Sequence, residues 1–188
     1  SNRSAPLYLE SVKGPAMYAF VFPGQGSQYP GMSAAGGTTD PETLQEADDA
    51  LGFSLSTLPK EGPESRLAET EITQPAILCV SIALLRRLQK ERPDLQPVAG
   101  AGHSLGEYSA LVAAGSLQFA DALRLVQLRG RAMQQAVPVG VGAMAALMGV
   151  EPAQIEQFCQ EEAGTEVVAP SALNGPSQLV IAGHTAAV

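Results

Sequence analysis

An α/β layered domain followed by a β-α-β-β unit is the fold class this chain predicts. Three observations carry it. Residues 17–22 form a compact apolar run cut off by Pro23. Pro97-Val98-Ala99-Gly100-Ala101 reads as a short strand that enters Gly102-His103-Ser104-Leu105-Gly106, a sharp turn, and then a helical stretch. Beyond the glycine-rich residues 138–142 the hydrophobic pattern changes to strand, helix, strand, strand. The order strand, helices, strand, turn, helix layers helices on a sheet. At 188 residues and 45% hydrophobic the chain can bury a real core.

Composition narrows the partners. A formal charge of −8 argues against nucleic acid, which selects basic surfaces. No apolar run is long enough to span a bilayer and no signal-peptide layout is visible, so no membrane partner is expected and a cytoplasmic setting is the default. Cys79 and Cys159 fall in helical segments and read as buried thiols rather than a disulfide. Two histidines and two cysteines without a cluster make a metal site unexpected.

Taken in order, residues 1–16 are a tail whose Ser1-Asn2 start resembles a remnant of tag cleavage, and they are set aside from the fold. Residues 17–22 form a buried first strand. Gly24-Gln25-Gly26-Ser27-Gln28 follows as a loop at the strand end where α/β proteins place their sites. It lacks the third glycine of a dinucleotide fingerprint and the lysine of a P-loop. Two readings remain: a plain turn, or backbone N–H groups and the Gln25 amide aimed at a substrate oxygen. Residues 41–51 form a surface helix capped by Asp40, with Pro41 at its first position. Residues 53–68, with Pro59, Gly62 and Pro63, are loop-rich. Thr73-Gln74-Pro75 opens a helix from about residue 76 to 91, with Ile77, Val80, Ser81, Leu84, Leu85 and Leu88 on one apolar face and Arg86, Arg87 and Lys90 crowding its end.

The turn at Ser104 fits the G-x-S-x-G pattern, in which a serine sits between strand and helix with its hydroxyl exposed. Flanking glycines suit the unusual backbone, and a helix running from 107 to 114 and stopped at Gly115 would direct its positive end at an oxyanion. A chance Gly/Ser turn is the plainer alternative. His103 is a poor candidate for the base, because adjacent side chains on such a turn diverge.

Residues 121–137 form the second informative helix. Ala122, Leu125, Val126, Arg129 and Met133 share one face, which leaves Arg129 as a cation on apolar surroundings. A desolvated guanidinium needs a partner. A structural acid pair, an outward-reaching side chain and a substrate carboxylate held bidentately are all compatible with the pattern. After residue 142 come a strand at 143–150, an amphipathic helix at 152–163, and strands at 166–173 and 178–182 joined by Asn174-Gly175-Pro176-Ser177. This is most of a β-α-β-β-α-β unit, with a second helix beginning at Thr185.

Phe22-Pro23-Gly24-Gln25-Gly26-Ser27-Gln28, Thr73-Gln74-Pro75-Ala76, Gly102-His103-Ser104-Leu105-Gly106-Glu107 and Gln127-Leu128-Arg129-Gly130, in that order, resemble the malonyl-CoA:acyl carrier protein transacylases of fatty acid synthesis. The resemblance runs from about residue 18 to 188. It implies an α/β-hydrolase-like domain over 17–138 and part of an inserted ferredoxin-like subdomain over 139–188. It also implies ping-pong transfer of malonyl from malonyl-CoA to Ser104, and then to the phosphopantetheine thiol of acyl carrier protein. No resident cofactor is implied. By the same resemblance Gln25 and Leu105 supply the oxyanion hole, Arg129 binds the malonyl carboxylate with Gln25 beside it, and Gln74, His103, Met133 and Asn174 are pocket candidates. The family's catalytic histidine follows the ferredoxin-like lobe, outside these 188 residues. His184 instead matches the start of a helix in that lobe, so a C-terminal remainder of the enzyme is expected as a partner. Carrier proteins are usually acidic, so docking calls for a local basic patch or for that remainder. A serine esterase and a non-catalytic binder of coenzyme A thioesters or carrier protein are the rivals. Arg129 separates the first, since a plain ester needs no cation.

Overall fold

The computed structural model describes residues 17–29, 32, 40–55, 69–138 and 140–188. The tail at 1–16 and most of the loop-rich stretch, 56–68, lie outside them. The described residues form two compact units that divide between Gly130 and Arg131.

In the first unit β1 (Tyr18–Phe22) pairs in parallel with β2 (Pro97–Gly102), Phe20 opposite Gly100 and Phe22 opposite Gly102. Around them lie α1 (Pro41–Leu51), α2 (Thr70–Glu91), α3 (Gly106–Ala113) and the first two-thirds of α4 (Phe119–Ala136). Phe22, Ala47, Leu78, Ile82, Leu105, Leu123 and Val126 meet in its core. The first strand is not the buried element expected. Val21 is 75% and Val98 68% exposed, because β1 and β2 pair only with each other among the described residues and one sheet face carries no layer.

Two helices depart from their periodic reading. α2 starts at Thr70, with Pro75 inside it rather than at its opening. Glu69 is the cap: its carbonyl accepts from the Ile72 and Thr73 N–H groups and from the Thr73 hydroxyl at 3.0 Å. Burial of Thr73, Gln74 and Pro75 outweighs the N–H that Pro75 lacks. The core-facing residues of α2 include Leu78, Cys79 and Ile82, while Leu84 is 44% exposed. Ile77, Ser81 and Leu85 of the expected face are buried as well, and with Val80, Leu84 and Leu88 they line an open cavity of about 580 Å³ against β1. On α4 the buried face is Phe119, Ala122, Leu123, Val126 and Gly130, so Leu125 and Met133 lie outward.

α1 matches its expected span. Asp40 has extended backbone at its cap and its carbonyl accepts from the Leu44 N–H, but its carboxylate accepts from the Thr43 hydroxyl, 2.5 Å away, rather than from a backbone N–H. Arg86 of α2 donates to Thr43 and Glu46 and lies 4.9 Å over the Phe119 ring, tying α1, α2 and α4 together.

The second unit is an antiparallel sheet with α5 (Pro152–Glu162) packed on it. β3 (Gly142–Met148), β4 (Val168–Gly175) and β5 (Gln178–His184) run in the order β3-β5-β4. Gly175 faces Gln178, so Pro176 and Ser177 make a two-residue hairpin turn. Ile155 and Cys159 of α5 pack with Val168, Leu179 and Ile181. His184 ends β5, and turns rather than a helix follow it; its Nδ1 accepts from the Val167 N–H at 3.1 Å. Both cysteines are buried free thiols, as expected. Among the described residues no helix is long and apolar enough to cross a membrane.

Candidate active site

β2 delivers the chain into the turn at Ser104. Ser104 alone among the described non-glycine residues has positive φ, at 52°. Its neighbours must be glycine for steric reasons. A Cβ on Gly102 would run into the backbone of Gly106, and one on Gly106 into the Phe22 carbonyl at the end of β1. The turn is stitched by Gly106 N–H to the His103 carbonyl at 2.8 Å and Glu107 N–H to the Ser104 carbonyl at 3.2 Å. α3 therefore begins one residue earlier than expected, with its positive end beneath the exposed Ser104 hydroxyl.

The loop after β1 lies against this turn. A Cβ on Gly24 would come within 2.6 Å of the His103 carbonyl and 3.0 Å of its Nδ1. Gly26 has φ of 103°, and the loop is closed by the Ser27 hydroxyl donating to the Gly24 carbonyl at 2.8 Å. Gln25 N–H and Leu105 N–H carry no hydrogen bond among the described residues.

Side chains from three elements converge on this place. Arg129 of α4, half-buried, donates from one terminal nitrogen to Ser104 Oγ at 3.0 Å and from the other to Gln74 Oε1 at 2.9 Å. Gln74, fully buried on α2, donates through Nε2 to Gln25 Oε1 at 3.5 Å, and Gln25 donates to the Thr70 hydroxyl at 3.4 Å. Arg129 takes part in none of the ion pairs among the described residues, which removes the structural acid pair considered above. What it holds is neutral, so a carboxylate placed here would be its first full counter-charge.

Ser104, Arg129, Gln74 and Gln25 are thus brought together, with Leu105 next to Ser104 in the turn and His103 exposed beside Gly24. No histidine is hydrogen-bonded to the Ser104 hydroxyl among the described residues. Met133 lies one turn beyond Arg129 on α4 and is 44% exposed. Asn174 belongs to the second unit, on β4, where its amide donates to Gln178 Oε1 at 3.1 Å.

Sequence reading missed two contributors. Thr70 was hidden because Pro75 suggested a later start for α2. Gly130 was seen only as a motif residue, yet a Cβ there would lie 2.6 Å from the Glu71 Cα and 2.7 Å from the Thr70 carbonyl oxygen. A glycine in mid-helix, costly without a packing reason, was the available signal.

The family described as acyl transferase domain matches residues 19–188. Malonyl CoA-acyl carrier protein transacylase of Escherichia coli (strain K12) is 52% identical over 174 residues, which cover 91% of this chain and 56% of that protein. The structure of malonyl CoA-acyl carrier protein transacylase from Coxiella burnetii is similar with a TM-score of 0.84 at 48% identity, covering 92% of this chain and 55% of that one. A type II PKS acyl-carrier protein in complex with its malonyl-transacylase gives 0.83 at 47%, over 92% and 56%. The chain spans about half the length of the relatives it matches. With nearly all of its residues inside the family match and a mixed α/β fold shared with these structures, the chain belongs to the acyl transferase domain family.

Proposed function

We propose that this chain carries the nucleophile and the acyl-carboxylate site of an enzyme that moves malonyl from malonyl-CoA to acyl carrier protein in fatty acid biosynthesis. The observation that carries the reading is the guanidinium of Arg129 3.0 Å from the exposed hydroxyl of Ser104. An acyl group ending in a carboxylate one carbon beyond its thioester carbonyl can reach both at once. The relatives' names support the same substrate and partner.

In the first half-reaction Ser104 Oγ forms a bond to the thioester carbon, the carbon–sulfur bond breaks, and coenzyme A leaves as the thiol with the hydroxyl proton. In the second, the phosphopantetheine thiol of the carrier attacks the ester, and Oγ leaves and takes the thiol proton. Negative charge on the carbonyl oxygen would be met by the Gln25 and Leu105 N–H groups and by the start of α3. No resident cofactor or metal enters these steps. A base is still needed to activate a neutral serine. The reading assigns it to the portion of the relatives' length that this chain does not span.

The finer fold description belongs to the same proposal: an α/β-hydrolase-like domain over 17–138 and part of a ferredoxin-like subdomain over 139–188. The parallel β1-β2 pair leading to a serine turn supports the first, and the β3-β5-β4 order of a β-α-β-β run supports the second. The cytoplasmic setting is part of it too.

Intact mass after incubation of the gene-encoded protein with malonyl-CoA tests the reading. Wild type gains one malonyl group and Ser104→Ala gains none. A malonyl adduct that persists in Ser104→Ala overturns the assignment.

A further inference from the structure

From the hydrogen bond that joins them, we infer that Arg129 guards Ser104, and that the carboxylate of the incoming acyl group lifts the guard. The inference rests on the acyl-transfer reading and adds a regulation of its nucleophile. In the structure the guanidinium donates to Ser104 Oγ at 3.0 Å, engaging one of the oxygen's two lone pairs and drawing electron density from the nucleophile. Its other terminal nitrogen is held 2.9 Å from Oε1 of Gln74, which is fully buried and cannot follow a moving partner. Gln74 is held in turn by Gln25, and Gln25 by Thr70. Arg129 therefore has one fixed end and one end resting on a neutral hydroxyl, a weaker acceptor than a carboxylate.

A carboxylate entering beside Ser104 draws that free end away, and the guanidinium pivots on Gln74. Oγ is relieved of that cationic donor, and its nucleophilicity rises, at the moment the acyl group is seated. An acyl thioester without a carboxylate finds the guard in place. Selectivity then resides partly in the reactivity of the nucleophile and not only in binding.

The test uses the gene-encoded protein and an uncharged alkyl fluorophosphonate. Labelling forms an Oγ–phosphorus bond and breaks phosphorus–fluorine, with fluoride leaving and the hydroxyl proton passing to solvent. Sodium formate supplies the carboxylate without filling the space at Oγ, and sodium chloride of equal ionic strength is the control. Formate should accelerate labelling of Ser104 about tenfold, the factor that one hydrogen bond to a charged group carries. Arg129→Ala should label at the accelerated rate without formate and should not respond to it. Formate that leaves wild-type labelling unchanged, or slows it, overturns the guard, and that arm needs no variant to fold. Malonyl-adduct formation is read in the same preparations. An adduct with no formate effect removes the guard alone; absence of any adduct removes the transfer reading and the guard with it.

Discussion

Arg129 sets this serine turn apart from a generic one by placing a cation 3.0 Å from the hydroxyl, and in the acyl-transfer reading that cation makes the site selective. Its charge is half withdrawn from water and its two partners, Gln74 and Ser104, are neutral. Replacement by alanine should cost malonyl transfer about 2–4 kcal/mol in kcat/KM, the range for losing one partner of a desolvated charge pair. Acetyl-CoA has no carboxylate to leave unpaired, so its relative standing should improve. Specificity constants for both thioesters in wild type and Arg129→Ala decide this, and an equal loss for both would make Arg129 structural. Cys79 behaves in the opposite sense, as a group with no chemistry. Burial, reinforced by Asp48, raises its pKa from 9.0 to about 12. The unfolded thiol ionises first as pH rises, so this contribution to stability is fully present below pH 9 and is lost toward pH 12. Cys79 should resist a thiol-specific maleimide at neutral pH until denaturant is added; rapid native-state labelling would contradict its burial.

At the scale of elements, the site depends on how closely α4 approaches α2. Gly130 permits that approach, since any Cβ would meet the Thr70 and Glu71 backbone. Gly130→Ala should therefore destabilise by about 1–3 kcal/mol through overpacking. It should also lower malonyl transfer, because pushing the helices apart stretches the Arg129–Gln74 bond. Urea unfolding beside steady-state kinetics would show both, and unchanged kcat/KM would detach the site from this contact. The serine turn was legible in sequence because its glycines and flanking elements are local features. Arg129 was legible as an anomaly on a helix, but its role stayed open until a family resemblance was added. The start of α2 was misread for a definite reason: proline usually marks an opening, and only tertiary burial of Thr73, Gln74 and Pro75 extends the helix backward past it. The exposed placement of Leu125 and Met133 likewise followed from packing at Gly130, which periodicity does not encode.

On the scale of the whole chain, the sheet of the first unit is thin. Val21 and Val98 are exposed on β1 and β2, and Leu84 stands exposed at the mouth of the cavity between α2 and β1. Unpaired strand edges and open apolar faces promote self-association. Residues 1–188 expressed by themselves should aggregate, visible as a broad, high-mass profile in size-exclusion chromatography with light scattering. A monodisperse monomer that unfolds cooperatively would contradict this. Strand existence and order were readable from apolar runs and turn residues. Which strand faces stay open was not, because exposure depends on what packs across a sheet and not on the strand's own composition.

The backbone of Ser104 has a bearing on how such a protein changes over generations. A left-handed φ of 52° on a residue with a Cβ costs about 1–2 kcal/mol, while glycine adopts it freely and gives back only part of the gain through its looser unfolded chain. A lineage selected for heat resistance alone would drift toward glycine at this position and lose the hydroxyl. Serine here thus holds a hydroxyl in place at a standing thermodynamic cost, which the acyl-transfer reading explains by the need for a nucleophile.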